Sequence, residues 1–364
     1  MPIESMSIRR FRNLQPVELH FSPQLNLFVG ENAAGKTSLL ESLFVLARGR
    51  SFRTTHLDKL IQDDEDSFEL FVEVVGEDGR RTRVGMRRRR GRFECRIDAH
   101  PVKRLSELAG LFPVHWLGGN LHALVEDGPA YRRQFLDWGL FHVKPDYMAL
   151  WKRFGKLLKQ RNAALRSSAS RREVQAWDPD LAAAGDALDN ERRTYLDHLE
   201  QVFARVASDF PTLPQPVAIN YRKGWDPEAT YREALAAGID KDIDSGFTRA
   251  GPHRAELALR IGERPAADQL SHGQQKVLVT ALQLAQASLL HQETGKTSLF
   301  LMDDLGSELD TANRRSVLQV LSRIDAQVFV TAIEVPPLSD WGIERVRWFH
   351  VKHGLVSEVV YSTG

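Results

Sequence analysis

Residues Gly30–Thr37, GENAAGKT, place two glycines, a lysine and a threonine at the spacing G-x-x-x-x-G-K-[ST]. A phosphate-binding loop needs that spacing. Glycines let the backbone turn so tightly that its N–H groups point at one anion, and a helix starting at the lysine adds its own unpaired amides. Lys36 would reach the β- and γ-phosphate oxygens of a nucleotide, and the Thr37 hydroxyl would hold Mg²⁺. Gly30, Glu31, Asn32, Ala33, Ala34 and Gly35 would supply the rest of the cradle. A glycine turn with a chance lysine is the plainer alternative, and the flanks weigh against it. LNLFV before the loop is a buried-strand run, and KTSLLESLFVLA after it carries Leu39, Leu40, Leu43, Phe44 and Ala47 at helical spacing.

The tetrapeptide GKTS recurs at 295–298, but position 290 is leucine where the loop pattern needs its first glycine. A helical pattern precedes this copy and a strand run follows it, so Gly295 is predicted to be the positive-φ residue just past a helix end. The chemistry lies further on. Leu299–Met302 is a buried-strand run that ends in Asp303 and Asp304. Carboxylates at the C-terminal end of a parallel strand face the ligand crevice of an open α/β sheet. Asp303 would hold Mg²⁺ and Asp304 would orient an attacking water. The alternative is that the strand simply ends in aspartates because a turn begins there. Between the two copies lies LSHGQQK, Leu270–Lys276, running into a helix. Ser271 and Gln274 suit a capping box, and a serine, a glycine and a helix N-terminus also suit an anion.

These residues require strands and helices to hold them. From Phe68 to Asp98 short extended runs broken by turns predict a β-meander. From about Ala130 to Phe210 the period becomes helical, with Trp151, Phe154, Leu157, Leu158 and Leu165 on one face and Leu196, Leu199, Val202, Phe203 and Val206 on another. The Arg/Ser-rich stretch RSSASRR is expected to be a mobile loop within this region. After Gly251 strand patterns return, and RVRWFHV and LVSEVVY around KHG predict a hairpin. The 364 residues leave room for about two domains, and 42% hydrophobic residues can fill their cores. No run is long and apolar enough for a membrane span, and the start of the chain lacks the apolar core of a signal peptide, so a cytoplasmic location is expected. The single cysteine, Cys95, excludes an internal disulfide and any paired-cysteine metal or redox site.

Net charge is only +1, yet residues 80–96 hold nine arginines against one acid, Glu94. Arg87, Arg88, Arg89 and Arg90 on the meander could meet DNA phosphates without sequence preference. A solvated hairpin edge kept from aggregating by its charge fits equally well. Arg132 and Arg133 are further DNA candidates, with pairing to acids as the alternative. Phe135 and Trp138 beside them are assigned to core packing.

Taken together, GENAAGKT, LSHGQQK, LFLMDD and SELD resemble the Walker A, signature, Walker B and D-loop elements of ABC-type ATPase heads in the SMC-like DNA-repair class. The phrases IRRFRNL, ARGRSFRT, GPAYRRQFLDWGLF, LLKQRNAALR and TRAGPHRAEL narrow the resemblance to the RecF family of recombination mediators, from end to end of the chain. The resemblance implies an α/β fold: an ABC-type P-loop ATPase head, a mixed sheet with helices, carrying an inserted mainly helical lobe. The head would comprise residues 1–125 and 248–364, and the lobe residues 126–247. It further implies that Gly30–Thr37 bind ATP with Asp303 on the Mg²⁺ side. Ser271 and Gly273 would face the γ-phosphate held by a second copy, with Ser307–Asp310 along the dimer seam. Arg12 and Asn13 would approach the nucleotide. ATP would join two copies on gapped single- and double-stranded DNA, and a weak DNA-stimulated hydrolysis would release them. RecO, RecR and RecA loading at gaps, leading to SOS induction, are the implied partners and pathway.

Two departures bear on rate. Asp304 stands where many such heads have a glutamate, and the histidine of the transporter switch region is missing near Thr331. Both suit a slow timing switch. A transporter motor subunit and a small-molecule kinase remain as readings of the loop alone. The stretch from Lys36 to Ser271 is far longer than in transporter heads, and a kinase would give the signature serine and SELD no purpose.

Overall fold

In β4 (Ser67–Val75) inward residues Phe68, Leu70, Val72 and Val74 alternate with outward Glu69, Phe71 and Glu73. That period of two makes one wet and one dry face. The strand lies in an antiparallel sheet of order β2-β1-β4-β5-β6-β7, with β1 (Ile3–Arg9), β2 (Val17–His20), β5 (Arg81–Arg89), β6 (Arg92–Ile97) and β7 (His100–Pro101). The computed structural model describes residues 2–76, 79–119, 121–167, 170–304, 309–334 and 345–359. The expected mobile loop at RSSASRR falls partly outside them, as do Ser307 and Glu308 of SELD.

The chain divides into two units, Met1–Leu121 with Leu290–Gly364, and His122–Leu289. The first unit also holds the second sheet, of order β15-β14-β3-β13-β12-β8. Its strands are β3 (Leu25–Val29), β8 (Val114–Leu117), β12 (Leu299–Met302), β13 (Gln327–Ala332), β14 (Val346–Lys352) and β15 (Leu355–Val359). All neighbours are parallel except the β14–β15 hairpin. β3 and β12 are buried along their whole length, as the unbroken apolar runs require of strands covered on both faces.

Helix α1 (Lys36–Arg48) belongs to the core of both sheets. Its Leu39, Leu43 and Leu46 share one apolar cluster with Met6, Phe68 and Val84 of the antiparallel sheet and with Leu301 and Phe329 of the parallel one. A helix wet on no side needs no polar stripe, which is why LLESLFVLA reads as nearly continuous apolar sequence. Gln327, fully buried on β13, joins the sheets through the backbone: it accepts from Ile3 N–H and donates to the carbonyls of Ile3 and Ser22, at 2.8, 2.8 and 2.9 Å. Helices α2 (Leu105–Leu111) and α11 (Thr311–Arg323) also belong to this unit, α11 capped by Asp310 through Asn313 N–H at 2.9 Å.

The second unit consists mainly of helices: α3 (Ala123–Glu126), α4 (Pro129–Val143), α5 (Tyr147–Arg166), α6 (Arg171–Gln175), α7 (Asp178–Ser208), α8 (Tyr231–Ser245), α9 (Ala266–Gln269) and α10 (His272–Thr294), whose last turn passes into the first unit. A small antiparallel sheet, β11-β10-β9, joins β9 (Val217–Arg222), β10 (Glu256–Ile261) and β11 (Arg264–Pro265). Leu196, Leu199, Val202, Phe203 and Val206 of α7 are buried as predicted, whereas Trp151 of α5 is 45% exposed beside buried Phe154. Where the sequence reading returned the chain to the head at residue 248, this unit runs on to Leu289. The reason is pairing: β10 pairs along its length with β9, and Arg192 donates to Pro252 O at 2.7 Å. Strand character alone does not say which sheet a strand joins.

Candidate nucleotide-binding site

Register aligns the C-terminal ends of β3, β13 and β12, since Val29 pairs with Ala332 and Val330 with Met302. The loop Gly30–Gly35, Asp303 and Thr331 therefore meet at one edge of the sheet. Gly30 is required by close approach: a Cβ there would lie 2.1 Å from Val351 O on β14. Gly35 is required by conformation, at φ 117, and Ala33 also sits left-handed at φ 63. Among the described residues no side chain caps the first turn of α1, and no acid stands in it, which leaves its first-turn amides available to an anion. Lys36 Nζ donates to the carbonyls of Gly30 at 2.6 Å and Glu31 at 2.9 Å. Burial pushes its ammonium below the ordinary lysine pKa, while Asp303 and Asp304 pull the other way.

Across the loop, Thr37 Oγ1 donates to Asp303 Oδ2 at 2.9 Å. Thr331 Oγ1 donates to Asp303 Oδ1 at 2.6 Å and accepts from Asp304 N–H at 2.8 Å. Thr37 and Asp303 present two hard oxygen donors side by side, a set that suits Mg²⁺ completed by water and phosphate. The sequence reading brought Lys36, Thr37, Asp303 and Asp304 together, and all four line one cleft of about 890 Å³.

Arg12 and Asn13 line the same cleft. Asn13 Oδ1 accepts from Ser38 Oγ at 2.9 Å. Arg12 makes a two-point contact with Glu41 of α1, to which Ser51 also donates and which Arg53 approaches at 3.6 Å. Arg53, Lys59, Gln62 and Thr331 are cleft residues that motif reading missed. Glu41 had a signal: it is a lone acid within an apolar helix, and such an acid must be paired.

The second GKTS is a connector. Gly295 has φ 69 and its N–H donates to His291 O at 2.8 Å, closing α10. In the second unit Ser271 and Gln274 form the reciprocal capping contacts: Gln274 N–H donates to Ser271 Oγ at 3.3 Å and Ser271 N–H to Gln274 Oε1 at 3.1 Å. Ser271, His272 and Gly273 are exposed, and apart from the chain neighbours and the helix's own backbone no atom of the described residues lies within 4 Å of where a Gly273 Cβ would stand. Of SELD, Leu309 is buried and Asp310 caps α11.

Comparison with known proteins decides the family. The model described as the RecF/RecN/SMC N terminal domain matches residues 2–355. The DNA replication and repair protein RecF of Shewanella frigidimarina is 39% identical over 362 residues, 99% of this chain and 100% of that protein. The chain belongs to the RecF family. RecF of Pseudomonas syringae pv. syringae is 40% identical over 362 residues, covering 98% of each chain. The solved structure of "the recombination mediator protein RecF-ATPrS in RecFOR pathway" matches with TM-score 0.83 at 25% identity, covering 98% of both chains. An Smc head bound to the winged-helix domain of ScpA shares the fold at TM-score 0.60 and 15% identity, over 100% of this chain and 98% of that one. The function of this RecF-family chain is DNA replication and repair, and the transporter reading has no support.

The fold sorts the arginines that the sequence offers as DNA candidates. Arg87 donates to Glu69 at 2.7 Å, Arg83 to Glu73 at 2.8 Å and Arg88 to Asp58 at 2.8 Å. Arg89, Arg90 and Arg96 are exposed and make no ion pair among the described residues. Arg132, offered by its sequence as a DNA contact, is only 14% exposed on its side chain. It grips Glu256 at 2.8 and 3.2 Å and donates to the carbonyls of Leu124, Val125 and Asp127 at the end of α3. Its donors are consumed internally, which removes it from the DNA candidates. Arg133 donates to Ala255 O at 2.8 Å, and burial lowers its pKa.

Proposed function

We propose that this RecF-family chain is an ATP-hydrolysing switch that closes as a homodimer on gapped DNA during recombinational repair. One observation carries the reading: the uncapped phosphate loop is joined to the acidic strand end through Thr37 and Asp303, 2.9 Å apart. In that arrangement the loop amides and Lys36 take β- and γ-phosphate oxygens, and Asp304 orients water from the cleft wall. Thr37 and Asp303 would hold Mg²⁺, which would supply positive charge to the phosphate oxygens. Ser271 and Gly273, exposed at the start of α10, bind the γ-phosphate of the second copy, so nucleotide is part of the dimer interface. Asp304 reaches one methylene less far than glutamate, which favours a slow, DNA-stimulated ATPase. RecO and RecR as partners, RecA loading and the cytoplasmic location rest on RecF-family membership and on the RecFOR context of the matched structure.

The test is sedimentation of the full chain with MgATP, with MgADP and without nucleotide. Dimer with MgATP alone is expected. Ser271→Arg should bind ATP as the parent does and stay monomeric. A parent chain that is monomeric under all three conditions, or a Ser271→Arg chain that dimerises with ATP, overturns the reading.

A further inference from the structure

We propose that Thr331 is a positioning residue for metal-dependent hydrolysis, its single buried hydroxyl setting both the Asp303 carboxylate and the backbone of Asp304. This inference rests on the nucleotide reading above.

Thr331 is fully buried near the end of β13. Val330 pairs with Met302, so the next residue on each strand brings Thr331 beside Asp303. A hydroxyl has one proton and two lone pairs. The Asp304 amide can only donate, so it takes a lone pair of Oγ1 at 2.8 Å, and the hydroxyl proton goes to Asp303 Oδ1 at 2.6 Å. Both polarities are thereby fixed.

Two consequences follow for the cleft. Thr331 holds Oδ1 from the sheet, while Thr37 holds Oδ2 from the phosphate loop at 2.9 Å, so two hydroxyls on different elements define the plane of the carboxylate. Groups that orient a metal ligand typically matter about 10–100-fold in metal affinity or activity. The second consequence concerns Asp304, which sits left-handed at φ 50. Left-handed backbone is disfavoured for a residue other than glycine, and the hydrogen bond made by the Asp304 amide offsets part of that cost. Asp304 follows directly on the end of β12 and joins the cleft wall. The placing of Asp304 relative to Asp303 is therefore set from β13. The histidine that transporter heads carry near this position is missing here, and the hydroxyl works from behind the carboxylates.

Thr331→Val keeps the shape and removes both bonds, and Thr331→Ser keeps the hydroxyl. Each full-length protein is measured for melting temperature, for affinity towards a fluorescent ATP analogue in EDTA and in Mg²⁺, and for kcat and KM. The valine protein should bind in EDTA within about twofold of the parent, lose most of the Mg²⁺-dependent gain in affinity, and drop in kcat by about 10–100-fold. Serine should restore both. A parent-like Mg²⁺ gain and kcat in the valine protein overturn the proposal, as does an equal loss of affinity in EDTA and Mg²⁺. If valine prevents folding, Thr331→Ala is read by the same criteria. A parent protein that binds no nucleotide under either condition instead overturns the nucleotide reading itself.

Discussion

Arg12 and Glu41, 29 positions apart, meet through two hydrogen bonds of 3.0 Å while the glutamate is wholly buried in α1. Ser51 donates to the same carboxylate and Arg53 stands 3.6 Å from it. One acid in the helix after the phosphate loop thus holds two arginines on the cleft wall. Arg12→Ala leaves a buried carboxylate short of its main partner, a change that costs about 3–5 kcal/mol in a fully buried pair. Arg12 is partly exposed and Ser51 remains, so the lower end, about 3 kcal/mol, is expected from urea unfolding. A loss below about 1 kcal/mol, the range of a surface pair, would show that the contact does not organise the cleft.

Lys36→Arg should fold and bind nucleotide but hydrolyse about 10²–10³-fold more slowly, the usual effect of misplacing one preorganised donor. The guanidinium is longer and planar, so it cannot repeat the two contacts of Nζ at 2.6 and 2.9 Å inside the loop. Steady-state phosphate release beside an equilibrium nucleotide titration measures the split. Hydrolysis at the parent rate would remove Lys36 from the chemistry.

Local chemistry was legible in the sequence wherever one short segment builds it. The loop Gly30–Thr37, the strand ending at Asp303 and the helix stop at Gly295 each follow from neighbouring residues. Contacts made across the fold were not. Thr331 joins Asp303 only through the register of β13 with β12, and Glu41 meets Arg12 and Ser51 only after α1 is placed between two sheets. Arg132 shows the converse: a doubled arginine on a helix looks solvated until Glu256 arrives from β10. The boundary at Leu289 likewise depends on which sheet β10 joins.

His253 predicts how the second unit responds to acid. Its Nε2 contacts Thr248 O at 3.0 Å, its Nδ1 is buried with no hydrogen-bond partner among the described residues, and burial pushes its pKa down to about 4 from 6.5. Protonation would create an N–H on Nδ1 with no acceptor. The unfolded chain binds the proton first as pH falls, so stability drops from pH 6.5 and levels off below about pH 4. The drop should approach roughly 3 kcal/mol at about 1.4 kcal/mol per pH unit. Urea unfolding of the parent and His253→Gln across that window should show the parent losing more stability. Parallel curves would refute the assignment.

The sorting of the arginines predicts which of them DNA can use. An arginine held by a glutamate across the strand must give up that partner to reach a phosphate, whereas Arg89 and Arg90, at the turn between β5 and β6, form no ion pair among the described residues. Each phosphate neutralised on duplex DNA contributes about 0.9 to the slope of log affinity against log salt. Joint replacement of Arg89 and Arg90 by alanine should lower that slope by about 1.8 if both contact phosphates. Arg83→Ala with Arg87→Ala should change it little, because Glu73 and Glu69 already neutralise those side chains; the replacement takes the arginine from Glu73, while Glu69 keeps Arg10 at 3.1 Å. The charge thus left on Glu73 should still weaken binding at low salt by repulsion, with the difference fading as the Debye length shrinks. Titrations of gapped duplex DNA at several salt concentrations separate the pairs, and equal slope changes would mean that the ion pairs open on binding.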